Sequence, residues 1–270
     1  MALLEAAAAT RPRTGLVGRF PALAVLEYHL VAYRRTWRAG VFSSFLLPLL
    51  TVVGFGVGVG AYVDAPVAGV SYLDFLVPGL IASTALQVAI GESTWPVLGN
   101  FEWVKIYFAQ AATPLRVVDI LGGQLGFVLF RVLTSSLAFL LVAAAFGTLH
   151  SPWVLATLPL VALIAAAVAA PVFAYSSSVR SDSYLALLFR FGVIPMTLFA
   201  GVFFPVESLP AVLRWLAYAS PLWHGVDLCR AATLGVAPTW SVAGHLLYLA
   251  AWVAVGWWLA RAAFRRRLVV

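Results

Sequence analysis

Long apolar stretches alternate with short polar segments along the chain, and this pattern predicts six transmembrane helices. The apolar stretches lie near residues 40–61, 74–95, 121–146, 153–175, 185–204 and 241–260. Each holds about 20 residues or more, which a helix rising about 1.5 Å per residue needs to cross roughly 30 Å of hydrocarbon. We therefore expect an all-α, polytopic membrane protein with one membrane domain over residues 19–265.

Two further segments precede the first span. Residues 1–18 carry no apolar run and predict a disordered tail. In residues 20–37, apolar side chains recur at helical spacing, while Glu27, Arg34 and Arg35 supply polar positions. This pattern predicts an amphipathic helix in the membrane interface. A helix packed on a soluble partner is the alternative, but the span that follows immediately disfavours it.

The apolar stretch 205–238 does not fit a span. Pro205, Pro210 and Pro221 divide it into pieces that are too short to cross a bilayer. We expect a re-entrant hairpin of two short helices that enters the outer leaflet and returns before the last span, with a surface loop as the alternative. Aromatic residues in and beside the stretch favour the membrane-embedded hairpin; they are Phe203, Phe204, Trp215 and Trp223.

The loop over residues 96–120 is the second segment that does not cross. One predicted helical face consists of Phe101, Val104, Phe108 and Ala111, with Glu102 and Lys105 to the side, and Pro114 ends the run. A short amphipathic helix of this kind suits docking into a groove of a soluble partner. A helix that only covers the ends of the spans explains the same pattern equally well.

Composition and charge narrow the choice of class. With 63% hydrophobic and 10% charged residues, the chain has too few polar side chains to cover a water-facing surface, which excludes a soluble domain. The net charge of +7 could indicate nucleic acid, but thirteen basic residues fall on one side of the spans and two, Arg214 and Arg230, on the other. This asymmetry predicts that both termini are cytoplasmic and requires no nucleic-acid partner.

Four glycines at alternate positions lie in the first predicted span: Gly54, Gly56, Gly58 and Gly60. A dinucleotide-binding loop needs a preceding strand and a following acidic residue, and the sequence has neither. Gly54 with Gly58, and Gly56 with Gly60, form small-xxx-small pairs that allow helices to approach closely. We interpret the four as helix-packing residues.

Charged residues inside the predicted spans are functional candidates because hydrocarbon disfavours them strongly. Arg131 lies near the middle of the third span. It is either a substrate contact or gate, or it forms an ion pair or carbonyl contact within the bundle, which we favour. Arg190, near the inner end of the fifth span, can snorkel to the head groups. Glu92 is a candidate partner for Arg190 or for the 96–120 loop.

The sequence contains no recognisable catalytic constellation. His224, Asp227 and Cys229 are close together, but two ligands on one helical face without a third do not define a metal site. No G-x-x-x-x-G-K-[ST] phosphate loop is present, and the single lysine is Lys105, so we expect no ATP hydrolysis by this chain. We assign it no catalytic, cofactor-binding or metal-binding residue.

The order of elements and several segments resemble a type-2 ATP-binding-cassette (ABC) exporter permease. The segments are GFGVGVGAYV at 54–63, YLDFLVPGLIA at 72–82, ATPLRVVDILGG at 112–123 and FAGVFFPVESLPAVLRWLAYASPLWHGVDLCR at 199–230. The last is similar to the branch that contains the nodulation lipo-oligosaccharide exporter permeases and the antibiotic-resistance permeases. The resemblance covers residues 20–265.

The resemblance implies a permease subunit that exports an amphipathic substrate, such as a lipid-linked glycan, a glycolipid or a hydrophobic drug, from the cytoplasm or inner leaflet. Two ATPase subunits, which hold ATP and Mg, would dock on the 96–120 coupling loop; the docking residues implied are Phe101, Glu102, Val104, Lys105 and Phe108. A second permease half, identical or different, would complete a path for which Arg131, Phe203 and Phe204 are candidates. The implied location is the inner membrane of a bacterium.

Two other classes remain as alternatives. An integral-membrane enzyme acting on a lipid would need acidic, histidine or metal-ligand clusters at the interface, and the sequence lacks them. A passive channel would need a ring-forming motif, which is also missing.

Overall fold

The computed structural model describes residues 20–38, 46, 49–62 and 66–269 of the 270-residue chain. The predicted tail over residues 1–18 and part of the first predicted span lie outside the described residues. Within the described residues the chain folds into helices and forms no β-strand.

We number the α-helices in chain order. They are α1 (Pro21–Tyr33), α2 (Tyr72–Ser93), α3 (Trp95–Glu102), α4 (Ile106–Ala111), α5 (Val117–Ala145), α6 (Thr157–Ser178), α7 (Asp182–Leu188), α8 (Ile194–Phe199), α9 (Ala211–Tyr218), α10 (Pro221–Leu234) and α11 (Val242–Leu268). A π-helix, Phe189–Val193, joins α7 to α8. Turns of 3₁₀-helix precede α6 and α9, at Pro152–Ala156 and Val206–Ser208.

Five segments among the described residues are long and apolar enough to cross a membrane. They are Tyr72–Glu102, Val117–Ala145, Pro152–Ser178, Asp182–Phe199 and Val242–Leu268, and they correspond to the predicted second to sixth spans. The chain is therefore an all-α, multi-pass membrane protein, as predicted. In the first predicted span, the described part forms a π-helix over Val52–Val59 and a 3₁₀ turn over Gly60–Tyr62. The sixth crossing stays a prediction.

The two ends of the helical bundle differ in charge. Helices α2, α6 and α11 run towards one end, where α5 and α7 begin. We call this the basic end, because Lys105, Arg116, Arg180 and the arginines that close α11 lie there. The other, which we call the opposite end, carries Asp74, Glu207 and Asp227.

Polar side chains fix the starts of α2 and α5. The Ser71 hydroxyl accepts the backbone N–H of Asp74 at 3.1 Å and so caps α2. At the start of α5, Asp119 Oδ2 accepts hydrogen bonds from the backbone nitrogen of Arg116 at 2.9 Å and from its Nε at 3.1 Å. A carboxylate in the first turn satisfies free N–H groups and complements the positive end of the helix dipole.

Two glycines allow helices of the bundle to approach closely. Pro171 of α6 packs on Gly256 of α11, where an added Cβ would lie 2.6 Å from the Pro171 nitrogen. On α5, a Cβ added at Gly123 would lie 2.8 Å from the carbonyl oxygen of Ala22 in α1, and closer still to Val25. Since interiors are close-packed, any side chain at either glycine forces the helices apart.

The N-terminal helix α1 lies along the first half of α5. Its buried side carries Val25 and His29, but its exposed side also carries apolar residues, namely Leu23, Tyr28 and Val31. The helix is therefore less amphipathic than predicted, and its exposed side suits contact with lipid. Its location in the membrane interface stays a prediction.

The predicted hairpin region contains two short helices, α9 with 8 residues and α10 with 14 residues. Pro210 precedes α9, and Pro221 is the first residue of α10, so prolines divide the stretch where the pattern predicts. Neither helix is long enough to span a bilayer. Helix α10 is largely buried, whereas α9 exposes most of its surface; how deeply the pair enters the membrane stays a prediction.

Candidate functional site

The predicted coupling helix is broken at the basic end of the bundle. Helix α3 ends at Glu102, and α4 begins at Ile106 after Lys105 takes a left-handed conformation with φ of +56°. The backbone N–H groups of Trp103 and Val104 both donate to the Gly99 carbonyl at 2.9 Å and close the end of α3. The prediction of one continuous helical face is therefore wrong, because a left-handed residue cannot continue an α-helix.

Phe101 lies in the core and not on a docking surface. Only 1% of it is exposed, and its ring contacts Tyr107 at 4.8 Å and Phe264 of α11 at 5.0 Å between centroids. The Tyr107 hydroxyl donates to Gln124 Oε1 of α5 at 2.9 Å, and burial raises the pKa of Tyr107. Phe101 thus anchors the corner between α3 and α4 to α5 and α11.

The corner itself presents apolar side chains to the outside. Exposed fractions are 66% for Trp103, 64% for Val104 and 41% for Phe108, and Lys105 is also exposed. We call residues 103–108 the coupling corner. Trp103 was absent from the predicted docking set, although its position beside Val104 in a basic-side loop was a usable signal. Exposed large apolar residues that are held rigidly are typical of a protein-binding surface.

Glu102 pairs with Arg267, which lies near the end of α11. Its carboxylate forms an ion pair with the Arg267 guanidinium. Arg267 Nη1 also donates to the carbonyls of Ser177 at 2.6 Å and Val179 at 3.1 Å, and the guanidinium lies 4.3 Å from the Phe101 ring centroid. Arg267 therefore connects the coupling corner to α6 and α11. The sequence pattern counted it only as a topology charge.

Arg131 pairs within the bundle, as favoured from the sequence. Its Nε lies 3.0 Å from Glu92 Oε1 of α2, and its Nη1 donates to the Tyr33 hydroxyl of α1 at 2.7 Å. The guanidinium also lies 4.6 Å from the Tyr33 ring centroid, a cation–π contact. Glu92 thus partners Arg131 and not Arg190 or the coupling loop.

Arg190 lies on the π-helix between α7 and α8 with its side chain exposed. Among the described residues it makes no hydrogen bond or ion pair. A charge so placed requires water, a lipid head group or another chain as its neighbour.

The four glycines of the first span differ in their surroundings. A Cβ added at Gly56 would clash with Leu73 of α2, whereas Gly54 has no neighbour within 4 Å. Gly58 and Gly60 have only ordinary contacts at their positions. Within one chain, Gly56 alone of the four marks a close approach to another helix, so the packing role of the others stays a prediction.

Phe203 and Phe204 follow α8 at the opposite end and are half-buried. The Phe203 ring lies 5.3 Å from Phe55 of the first span. Beside them is a cavity of about 300 Å³, whose walls include Phe75, Glu207, Trp223, Asp227 and Arg230. The Arg230 side chain donates through Nη2 to the Gly201 carbonyl at 3.0 Å and lies 4.0 Å from the Phe75 ring centroid.

His224 and Asp227, flagged from the sequence, meet His245 of α11. The Nδ1 atoms of His224 and His245 lie 2.8 Å apart, and His245 Nε2 lies 3.1 Å from Asp227 Oδ2. The two contacts use opposite nitrogens of the His245 ring, so the three residues do not converge on one point as metal ligands would. Among the described residues, no group of three His, Cys, Asp or Glu side chains is placed to hold a metal ion.

Apolar spans, internal ion pairs and an exposed corner at one end define a multi-pass helical membrane protein. Residues 22–234 match the model of the ABC-2 type transporter family. The chain therefore belongs to the ABC-2 type transporter family.

Several relatives align with this chain over nearly its full length and theirs. The chain is 30% identical to Nodulation protein J of Rhizobium leguminosarum bv. trifolii over 249 residues, which are 92% of this chain and 94% of that protein. It is 29% identical to Nodulation protein J of Rhizobium leguminosarum bv. viciae over 92% of this chain and 95% of the relative. For Nodulation protein J of Sinorhizobium fredii, the identity is 28% over 92% of this chain and 94% of that relative. Family membership supports an ABC exporter permease that works with an ABC ATPase subunit.

Proposed function

We propose that this chain is the membrane-spanning half of an ATP-driven exporter of an amphipathic substrate. The observation that carries the proposal is the coupling corner, an exposed apolar surface that is anchored to the core at the basic end of a multi-pass bundle. ATP hydrolysis takes place in a separate ATPase subunit, which holds ATP and Mg. An integral-membrane enzyme is less well supported, because among the described residues no group of three His, Cys, Asp or Glu side chains is placed to hold a metal ion, and Arg131 and Arg267 are paired with Glu92 and Glu102.

The coupling corner transmits force because it is anchored on both sides. Phe101 and Tyr107 insert into the core beneath it, and Arg267 ties Glu102 to α11. An ATPase groove that binds Val104, Lys105 and Phe108 would therefore pull on the helices and not on a loose loop. Coupling between sites requires such a continuous set of packed contacts.

The orientation follows from charge. The basic end faces the cytoplasm of a bacterium in this proposal, and the protein lies in the inner membrane with both termini cytoplasmic. Support comes from the arginines at the end of α11, together with Arg116 and Arg180, which lie at the same end as the coupling corner.

The complete exporter contains two permease halves and two ATPase subunits. Within a single chain, α7 buries only Leu185 and α8 buries no residue fully, and Gly54 and Gly58 are exposed. These surfaces are available to a second permease half, the same chain or a different one. Arg190 lies on this exposed side, where a partner chain, a lipid head group or a substrate can supply the missing counter-charge.

An amphipathic substrate fits the two kinds of cavity in the bundle. An apolar cavity of about 230 Å³ lies among Val168, Val172, Leu188, Met196 and Trp252, and the cavity at the opposite end is lined by both charged and aromatic side chains. In the proposal, Phe203 and Phe204 border the exit, and the hairpin of α9 and α10 re-enters the outer leaflet and caps it. A lipid-linked glycan, a glycolipid and a hydrophobic drug all have this chemistry.

The experiment is reconstitution of the full chain with its ATPase subunit in lipid nanodiscs. We expect ATP hydrolysis that rises when a transported lipid or drug is added, and no response from either component alone. An ATPase that never forms a complex with the folded chain would overturn the proposal. Chemical conversion of an added lipid by the chain without ATPase would instead support the enzyme alternative.

A further inference from the structure

The last turns of α11 carry a charged face whose arrangement the proposed function does not explain. An open cavity of about 470 Å³ lies against this face, and it is lined by Trp258, Arg261, Ala262, Arg265, Arg266 and Val269. We call it the arginine groove. All six residues belong to the same end of the chain's last helix and follow one another along its final turns. The positions of the arginines are therefore set by the helix itself.

The arginine groove continues an exposed apolar stripe of the same helix. Leu247, Val255 and Trp258 are large apolar residues with exposed side chains. Steps of three, four and eight residues place them on one helical face with Arg261 and Arg265. Along this face the side chains are first apolar, then aromatic and then cationic. A phospholipid has the matching order of groups, from acyl chain through glycerol to phosphate.

The length of α11 places its arginines at the membrane surface. A helix crosses the hydrocarbon with about 20 residues, and α11 has 27. A crossing that begins at Val242 therefore ends close to Arg261, with Trp258 one turn inside the boundary. Tryptophan is enriched at this level, where its ring meets the head-group layer. Arg265, one turn further on, lies among the head groups.

The arginines of the groove have no counter-charge in the part of the chain that the structure describes. Arg261, Arg265 and Arg266 form no ion pair or side-chain hydrogen bond there. Arg267 lies on the other side of α11 and pairs with Glu102. Arg261 and Arg265 are four positions apart on one helical face, where like charges repel each other. An anion between the two guanidinium groups removes this repulsion.

Two general effects account for only part of this arrangement. The positive-inside effect depends on how many basic residues flank a span and not on the helical face that carries them. The helix dipole favours cations within the last turn, but Arg261 lies nearly two turns before Leu268, the end of α11. Neither effect requires Arg261 and Arg265 to share a face with Trp258.

We propose that the arginine groove binds the phosphate group of an anionic phospholipid. Arg261 and Arg265 donate to the phosphate oxygens, whose spacing the guanidinium fork matches. Trp258 packs on the glycerol backbone, and the acyl chains lie along the apolar stripe of α11. An anionic lipid binds more tightly than a zwitterionic one, because the choline cation of the latter is repelled by the arginines. Basic pockets beside membrane spans bind anionic head groups through the same chemistry.

Native mass spectrometry of the full chain in detergent tests this proposal. The chain is titrated with dioleoyl phosphatidylglycerol and with dioleoyl phosphatidylcholine, which differ only in the head group. We expect wild type to bind the anionic lipid about tenfold more tightly. Arg261→Gln and Arg265→Gln should each reduce this preference about fivefold, the effect of one basic residue near a membrane surface. An equal affinity of the wild type for the two lipids would overturn the proposal.

Arg180→Gln is the matched control. Arg180 is also exposed at the basic end, and its substitution removes the same charge outside the groove. It should keep the full preference for phosphatidylglycerol. An equal loss in Arg180→Gln and Arg261→Gln would show a general effect of charge and would contradict a defined site. All these positions are exposed, and wild-type unfolding midpoints confirm that each variant is folded.

Two further measurements separate a bound lipid from other anionic partners. Trp258→Leu should weaken the binding of both lipids and leave their ratio unchanged, since the tryptophan contacts the part that they share. Millimolar inorganic phosphate at constant ionic strength should not displace phosphatidylglycerol; displacement would overturn the proposal in favour of a soluble anion. Loss of ATPase copurification by Arg261→Gln with an unchanged lipid preference would assign the arginines to protein docking instead. Lipid binding is measured without transport, so its failure leaves the exporter proposal intact.

Discussion

Arg131 and Glu92 form an ion pair that joins the middle of α5 to the end of α2, with 3.0 Å between Nε and Oε1. The same guanidinium donates to the Tyr33 hydroxyl at 2.7 Å. One cation therefore connects three helices, α1, α2 and α5. This arrangement explains how an arginine far inside a span is tolerated, since a paired charge in an apolar bundle avoids most of the penalty for an isolated one.

Glu92→Gln should destabilise the protein, because it leaves the Arg131 guanidinium without its counter-charge. We expect a loss of about 2 kcal/mol, the range for hydrogen bonds to charged groups, measured as a lower thermal unfolding midpoint in detergent. The double variant Arg131→Met with Glu92→Leu should be more stable than Glu92→Gln alone, because no unpaired charge remains. An unchanged midpoint in Glu92→Gln would show that the pair is not needed.

Gly123→Ala should loosen the contact between α1 and α5, because an added Cβ would lie 2.8 Å from the Ala22 carbonyl oxygen. We expect destabilisation of about 1–3 kcal/mol, as for other overpacked contacts. Gly91→Ala is the matched control, since nothing lies within 4 Å of a Cβ at that position of α2. It should be neutral or slightly stabilising through its better helix propensity. Similar unfolding midpoints for the two variants would contradict the close contact.

Arg267→Ala should destabilise the basic end, whereas its neighbour Arg266→Ala should not. Arg267 binds Glu102 and the carbonyls of Ser177 and Val179, while Arg266 is exposed and makes no ion pair or side-chain hydrogen bond among the described residues. The expected loss is about 1.5–3 kcal/mol for Arg267→Ala. We also expect faster proteolysis at the coupling corner. Equal stability and equal proteolysis rates of the two variants would show that Arg267 does not anchor the coupling corner.

His29 should make the packing of α1 sensitive to acid. It is buried against Phe127, with 5.3 Å between ring centroids, and burial lowers its pKa to about 4. In the unfolded chain the ring takes up a proton near pH 6.5, so stability is full above that pH and falls as the pH drops from about 6.5 towards 4. The expected loss is about 1–2 kcal/mol at pH 5.

His29→Leu should remove this acid sensitivity, because leucine keeps the burial and carries no ionisable group. The unfolding midpoints of wild type and variant are compared at pH 7.5 and pH 5. A wild-type midpoint that falls no more than that of His29→Leu would show that His29 is not responsible.

The spans were predictable because each depends on local chain properties. Length and apolarity alone located the segments from Tyr72 to Leu268, and prolines at 210 and 221 marked the division of α9 from α10. The internal partner of Arg131 could be expected in kind, because hydrocarbon makes an isolated arginine so unfavourable. The sequence could not show which residue pairs with Arg131, because Glu92 lies 39 positions away.

The coupling corner was only half predictable for a related reason. Helical periodicity assigned Phe101 and Phe108 to one face, but the left-handed Lys105 turns the chain and sends Phe101 into the core. Nothing in the local sequence indicates that Lys105 adopts this conformation, since it is not glycine or asparagine. The ring of Phe264, which packs against Phe101, lies more than a hundred positions later in the sequence. Likewise, His245 was not recognised as the partner of His224, because the contact depends on how α10 and α11 pack.

Copurification of the ATPase subunit with two variants tests the central claim most directly. Phe108→Asp places a charge on the exposed coupling corner, and Trp153→Asp places one on an aromatic residue at the opposite end that is more exposed still. Both substitutions lie on the surface, so both chains should insert into the membrane and show near wild-type unfolding midpoints. The account predicts that Phe108→Asp loses the ATPase and ATP-dependent export, while Trp153→Asp still binds the ATPase. Full ATPase binding by Phe108→Asp, or its loss in Trp153→Asp alone, would contradict it.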